Sequence, residues 1–433
     1  MRAVRWFTLA VTLALAAAGV VPAAATAQAG NEIGVTDDTI RIAVVADVDN
    51  AARPGLFQGT VDGVRAAAEF INDNGGIGGR DVEVDFLDSH LSGDEARTAV
   101  LKACEEDFAL VGTSALFMNN VDPMIDCPDA TGKATGLPDI ANLETEIAHQ
   151  CSPVSYPVVI VGIDCATKDD PKPRFTRTTG YIDYFQKRFG DLHGPFVLAK
   201  DLKSTVNSFL PTIEISKQKG IGVDQVARIS GLDPQPAFTP IAQGIKADNS
   251  NYVAFGVDYK ADVLMRKEAQ VQGVDTVKVW DCTLACYDQR LIEEGGDAVE
   301  GQFTNIFFVP FTEAKQNSGV KKYVNAIGGV DKASAFSAEG WMAGLLFRDV
   351  ANQVIEADGK DGLTRAAFLE QIQTVHNFKA DGMTGGIDVG GRKLGKCFVI
   401  LQVQDGEWTR VHPKKKGTLD CTSKLESIRV ELE

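Results

Sequence analysis

Apolar and polar positions along this chain follow the two periods that separate strands from helices. From Thr39 to Ala46 the run Thr-Ile-Arg-Ile-Ala-Val-Val-Ala is almost continuously apolar and bounded by acidic residues, which predicts a strand buried on both faces, as in a parallel sheet. A polar loop with Gly and Pro follows from Asp47 to Gly59, and then Val61, Val64, Ala68 and Ile71 recur at helical spacing. Asn74 and Gly75 end this helix, because glycine accepts the left-handed conformation of a C-terminal cap. Gly78-Gly79-Arg80 turns the chain into Val82, Val84 and Phe86, which alternate with Glu83 and Asp85 as in a half-buried strand.

The alternation continues with a helix at Gly93 to Glu105, a strand at Phe108 to Gly112, another helix, and a strand at Val158 to Ile163. Such a series predicts a doubly wound α/β domain. A polar, proline-bearing stretch between Asp169 and Arg177 marks a crossing into a second series. That series has strands at Phe196 to Ala199, Val223 to Ile229, Tyr252 to Val257 and Val277 to Trp280, with helices near Ser204 to Gln218, Phe238 to Ala247 and Asp262 to Gln272. An apolar segment at Phe303 to Val309, helices at Ala338 to Ala357 and Arg365 to Thr374, and a late strand at Phe398 to Val403 before an Asp405-Gly406 turn complete the pattern.

The first residues depart from it. Arg2 and Arg5 precede an apolar run from Trp6 to Val21, and Pro22 and small residues follow, with small-x-small sites at Ala25-Thr26-Ala27 and Ala27-Gln28-Ala29. Residues 1–29 therefore read as a secretory signal, and the remainder as a soluble protein of the periplasm or exterior. No cysteine offers a lipid-attachment site at the new N-terminus, and no later stretch is long and apolar enough to span a bilayer. The roughly 400 residues that remain exceed what one core usually serves, so two domains are expected. A net charge of −16 argues against nucleic acid or anionic membrane as partner, and Lys414 to Lys416 read as a solvated turn.

All eight cysteines lie in the exported part, where disulfides are favoured. Neighbour pairing needs only short loops and is expected: Cys104 with Cys127, Cys151 with Cys165, Cys282 with Cys286, Cys397 with Cys421. No Cys-x-x-Cys pair with a nearby histidine suggests a metal site, and no metal or cofactor is expected.

The helix and turn Gly-Val-Arg-Ala-Ala-Ala-Glu-Phe-Ile-Asn-Asp-Asn-Gly-Gly-Ile-Gly-Gly-Arg at Gly63 to Arg80 resembles that of the type I periplasmic binding proteins of the Leu/Ile/Val-binding family, the solute receptors of ABC importers. Further segments agree in order: Leu110-Val111-Gly112, Gly136-Leu137-Pro138, Phe175-Thr176-Arg177-Thr178 as a crossover, and Gly295-Gly296-Asp297-Ala298-Val299-Glu300-Gly301 before the return. The resemblance implies an α/β fold of two doubly wound parallel-sheet lobes joined by three crossover segments. It places residues 30–175 and 303–377 in lobe one, and residues 176–302 and 378–433 in lobe two. The ligand would sit between the lobes, and a monomer would deliver it to a permease and ATPase complex.

By the same resemblance, lobe-one contacts fall at Leu56 and Phe57, at Thr113 and Ser114, and at Ala141, Asn142 and Thr145. Thr113 and Ser114 would offer hydroxyls to a ligand carboxylate or amide, if they are not simply helix caps. In lobe two, Ser204, Thr205, Asp258, Tyr259 and Asp281 follow strand carboxyl ends, where this architecture binds ligands. One departure bears on the ligand. Amino-acid-binding members carry an acidic residue after the Trp280 strand for the ligand ammonium, and an ungapped reading back from Gly301 puts Leu284 there, unless Asp281 substitutes. An amino acid, an amide or a related small polar molecule remain open.

No Gly-x-Ser-x-Gly, Walker or His-Glu-x-x-His motif occurs, so an enzyme is the weakest alternative. A ligand sensor of the same fold is the stronger one.

Overall fold

The computed structural model of the protein describes residues 32–51, 53–201 and 203–433. The expected signal segment, residues 1–29, lies outside the described residues.

The first lobe is built from β1 (Thr39–Ala46), α1 (Gln58–Asp73), β2 (Asp81–Asp88), α2 (Gly93–Glu106), β3 (Ala109–Thr113), α3 (Asp122–Ile125), β4 (Asp139–Ala141) and α4 (Ile147–Gln150). Its sheet has the order β2-β1-β3-β4, all parallel. β1 lies between β2 and β3, so both its faces are covered and its apolar run is continuous, whereas β2 at the edge alternates. The expected strand at Val158 to Ile163 does not form. Pro157 removes a ladder donor there and Gly162 turns with φ +80°, while Ser155 takes the free side of β4 through a parallel bridge to Asp139.

The second lobe contains α5 (Gly180–Phe189), β6 (His193–Ala199), α6 (Lys203–Gln218), β7 (Gly222–Ile229), α7 (Thr239–Ala247), β8 (Tyr252–Gly256), α8 (Tyr259–Val271), β9 (Val279–Cys282), α9 (Gln289–Gly295) and β10 (Gln302–Ile306), reached through the crossover strand β5 (Arg174–Thr178). The chain then returns to the first lobe for α10 (Ser318–Ile327), α11 (Ala335–Asp358) and α12 (Arg365–Ile372). It ends on β11 (Val399–Gln404), β12 (Glu407–His412) and β13 (Leu425–Arg429). The second sheet has the order β12-β11-β10-β9-β8-β6-β7, parallel from β10 to β7 and antiparallel at its C-terminal edge. There Asp405 and Gly406, both at positive φ, make the expected hairpin turn.

Three segments cross between the lobes. β5 pairs antiparallel with β13, and Phe308 bridges Thr384 where the second and third crossings run side by side. The return expected at residue 303 comes after Ile306, because Phe303 pairs within the second sheet and packs 5.2 Å from the Phe185 ring. Among the described residues no helix is long and apolar enough to cross a membrane. The four disulfides join the neighbours expected from spacing.

Two devices position the first lobe. Arg80, fully buried, donates through Nε to the Thr36 carbonyl at 2.7 Å and through Nη1 to the Lys360 carbonyl at 2.8 Å, so the Gly-Gly-Arg turn clasps the strand entry to the far end of α11. At the near end, Ser334 and Ser337 form a reciprocal capping box that sets where α11 begins.

Candidate ligand-binding site

Between the lobes, at the carboxyl ends of the strands of both sheets, lies a cavity of about 440 Å³, within the range of small-molecule sites. The first lobe contributes Arg53, Leu56 and Phe57 after β1, Leu91 after β2, Leu116 after β3, Leu143 and Thr145 after β4, and Phe336 and Glu339 from the first turns of α11. The second contributes Asp201 after β6, Thr205, Ser208 and Phe209 from α6, Leu232 after β7, Val257 and Asp258 after β8, and Thr283, Leu284 and Ala285 after β9. Most of this wall is apolar. Gly256 is required at its edge, since a Cβ there would stand 2.6 Å from the Phe209 ring.

Asp47, the first residue after β1, organises the first-lobe rim. Its carboxylate accepts from Ser89 Oγ at 2.6 Å and from the backbone N–H groups of Leu91 and Leu116 at 2.8 Å each, so one side chain ties together the loops after three strands. Burial pushes its pKa up, against those hydrogen bonds.

The lobes touch across the cavity. Arg53 Nε stands 2.8 Å from Asp258 Oδ2, with both side chains mostly buried, and Glu146 of the first lobe bonds to Ser204 of the second. Arg177, on the crossover strand, donates to the Val161 carbonyl and, at 3.1 Å, to the Ser208 carbonyl. Burial lowers its pKa to about 10. Arg53→Ala is expected to loosen closure by about 1 kcal/mol, roughly fivefold in ligand Kd, mainly through faster release. Stopped-flow dissociation of a bound ligand measures this, and an unchanged rate would show that the pair contributes nothing to closure.

Of the residues expected at the site, Leu56, Phe57, Thr145, Thr205 and Asp258 line the cavity. The others do not. Thr113 donates to Asp139 Oδ1 at 2.6 Å and Ser114 to the Gly112 carbonyl at 3.2 Å, both fully buried. Asn142 donates to Thr60 Oγ1 at 3.0 Å behind the wall, and Ala141 is the last residue of β4, inside the lobe. Ser204 is held by Glu146. Tyr259 lies in a small side crevice, its hydroxyl 3.2 Å from Glu294 and its ring 4.8 Å from the Arg290 guanidinium. Asp281 points into the core of the second lobe, where the Tyr252 hydroxyl donates to it at 2.8 Å. Leu284, which the ungapped reading sets at the position of the ammonium-binding acid, lines the cavity instead.

Leu91, Leu232, Phe336 and Glu339 escape the sequence reading, whereas Leu143 falls inside the expected stretch from Ala141 to Thr145. Glu339 carried a signal: it is the one carboxyl in the first half of α11, where Ala338, Trp341, Met342 and Leu345 are all buried. A helix apolar on every side is a buried one.

Among the described residues, two clusters have metal-ligating side chains. Asp262 lies beside Cys282 and Cys286, whose sulfurs are joined to each other. Asp139, Glu144 and His149 are tied together by their own hydrogen bonds: His149 Nε2 is 2.7 Å from Asp139, and the Ser155 hydroxyl sits within hydrogen-bond distance of both carboxyls. A wider open groove of about 660 Å³, with Lys187, Arg188, Lys414 and Lys424 on its rim, lies between α5 and the C-terminal strands, away from the strand ends that form the cleft.

Burial raises the carboxyls of Glu144, Asp262 and Asp281 to about 7. Each binds its proton more tightly folded than unfolded, so its stabilising effect is complete below the unfolded value and lost as pH rises through the folded one. The melting temperature is therefore expected to fall as pH rises from about 4 to about 7. A scanning-calorimetry profile that is flat or rising over this range would contradict the assignment.

A family described as periplasmic binding protein matches residues 39–125 and 178–407. No curated protein matches the chain in sequence. Among solved structures, a leucine-binding protein from Thermotoga maritima is 20% identical, with a TM-score of 0.66 over 86% of this chain and 98% of that one. A fatty acid ABC transporter substrate-binding protein from Thermomonospora curvata is 16% identical, with a TM-score of 0.68 over 88% of this chain and 92% of that one. An ABC transporter substrate-binding protein from Aeropyrum pernix is 16% identical, with a TM-score of 0.66 over 86% and 94%.

Proposed function

The chain belongs to the periplasmic binding protein family, and from that premise we propose that it is the extracytoplasmic receptor of an ABC importer, closing its two lobes over a ligand with a mainly apolar body. The observation that carries this reading is the interlobe cavity of about 440 Å³, walled by leucines and phenylalanines from both lobes and bridged by Arg53 and Asp258. A ligand that touches both walls favours the closed arrangement by its differential affinity, so capture and closure are one equilibrium. The closed form is the one a permease would recognise.

The wall revises the expected ligand from a small polar molecule to a small polar head on an apolar body. With Leu284 in place of an acid and Asp281 turned into the core, an α-amino acid would lack its usual ammonium partner after β9. The relatives named for leucine and for fatty acid both take ligands with apolar chains, which supports the same direction. The role is binding, not catalysis.

Thermal unfolding of ligand-stripped protein tests this against branched and aromatic amino acids, amides, amines and fatty acids, with sugars and polyamines as the contrast. A ligand at a hundred times its Kd adds about 2.7 kcal/mol. Stabilisation confined to molecules with an apolar body is expected, and a response only to sugars or polyamines would refute the reading.

A further inference from the structure

Within the apolar wall one side chain is out of place. Glu339 lines the cavity from the first turns of α11, is 1% exposed, and its Oε1 has no hydrogen-bond partner in the protein. The cavity's other charged residues are accounted for. Arg53 and Asp258 hold each other at 2.8 Å, and Asp201 accepts the Gly231 N–H at 2.5 Å. The polar chain beside Glu339 also runs the other way. Asn142 gives the carboxyl one side-chain hydrogen bond and donates also to Thr60 Oγ1 at 3.0 Å, which leaves Oε1 unpaired, and the Thr60 and Ser114 hydroxyls stand 3.3 Å apart, with Ser114 donating to the Gly112 carbonyl.

A buried carboxyl with an unused oxygen is costly unless something supplies a donor. Burial alone would favour an apolar residue at this position, as at Ala338 and Met342 on either side. We propose that Glu339 is the polar anchor of the cleft, and that the ligand it selects carries a hydrogen-bond-donating nitrogen, an amine or a primary amide, on its apolar body. This rests on reading the cleft as the ligand site.

The chemistry follows from the state of the carboxyl. Burial holds it protonated well above the usual carboxylate range. A neutral acid offers one O–H and one carbonyl oxygen, the complement of a primary amide's C=O and N–H. An amine, which arrives as an ammonium ion, instead displaces the carboxyl proton to solvent and leaves an ammonium–carboxylate pair, the stronger kind of hydrogen bond. A ligand carboxylate can accept the acid's single O–H but brings no donor for its other oxygen, which stays unpaired, so it gains less than an amide or an amine does. The rest of the ligand needs only shape, which Leu56, Leu116, Leu143, Leu284 and Phe336 provide.

Calorimetric titration of the ligand-stripped full protein with two matched sets of probes tests this: isopentylamine, isovaleramide and isovalerate, then phenethylamine, phenylacetamide and phenylacetate. The amine and amide of at least one set are expected to bind at least about tenfold more tightly than the acid. Glu339→Leu should bring that ratio near one while retaining affinity for the apolar body. Glu339→Gln, which keeps the shape but cannot ionise, should lose the advantage of the amine more than that of the amide, and it carries the test if the leucine variant does not fold. Equal binding of acid, amine and amide by the wild type, or an unaltered preference in the folded variants, overturns the inference and leaves the cleft reading standing. Failure of all six probes to bind overturns both.

Discussion

Gly340→Val is expected to destabilise the protein by about 3 kcal/mol or more and to abolish ligand binding. α1 and α11 pack more closely against each other than any side chain larger than glycine allows at their crossing. A Cβ at Gly340 would stand 2.3 Å from the Thr60 carbonyl oxygen, one at Gly63 would stand 2.1 Å from the Ser337 carbonyl oxygen, and one at Gly344 would stand 2.5 Å from Ala67 Cβ. The first two clashes are with backbone, which cannot swing aside. Neither helix can retreat, because α1 packs on the sheet through Val61 and Val64, and α11 is buried along most of its length. If the helices separate, Phe336 and Glu339 leave the cleft with the first turns of α11. Urea unfolding with a ligand titration in parallel measures both effects, and an unshifted midpoint would mean that the crossing is looser than these distances state.

Removing Asp139 is the second large effect. Its carboxylate accepts from Thr113 at 2.6 Å, from His149 at 2.7 Å and from Ser155, all in the fully buried layer behind the cavity wall. Burial opposes the charged imidazole of His149, yet the bond from Asp139 and the nearby Glu144 raise its pKa overall. Asp139→Ala would leave three donors, the buried His149 imidazole among them, without their acceptor, an expected loss of about 4 kcal/mol. Asp139→Asn keeps one carbonyl oxygen and should lose clearly less. Chemical denaturation of both variants orders them, and a mild effect of the alanine change would show that the network is not what holds the loop from β4 to α4 in place.

Much of the fold is legible in the sequence, because it rests on patterns the chain carries locally. The unbroken run of β1 reports burial on both faces, the spacing of Val61, Val64, Ala68 and Ile71 reports the buried stripe of α1, and Gly78-Gly79-Arg80 announces a turn whose arginine ties the lobe together. Disulfide pairing is readable from short separations. Where local pattern is thin, the reading fails. β4 is three residues long, and the run at Val158 to Ile163 has strand composition but pairs only at its two ends, Val158 with the Ala141 carbonyl and Ile163 with Phe175.

The site is legible only to the level of which loops form it. Side chains in a strand alternate faces, so a position one residue away points the other way. Asp281 lies within β9 and Leu284 just past its end, so the acid enters the core and the leucine reaches the cavity. Thr113 and Ser114 stand where the cleft contacts were expected, but the carboxylate of Asp139 and the backbone of Gly112 take their hydroxyls inward.

Periodicity, turn chemistry and cysteine spacing thus determine the alternating α/β order, most element positions and the four staples, since each is a preference expressed within a few neighbouring residues. Tertiary structure alone decided the path of the crossings, the face each loop residue presents and the apolar character of the cavity. These depend on residues such as Arg53 and Asp258, or Asn142 and Glu339, brought together across some two hundred positions by packing that no local window contains.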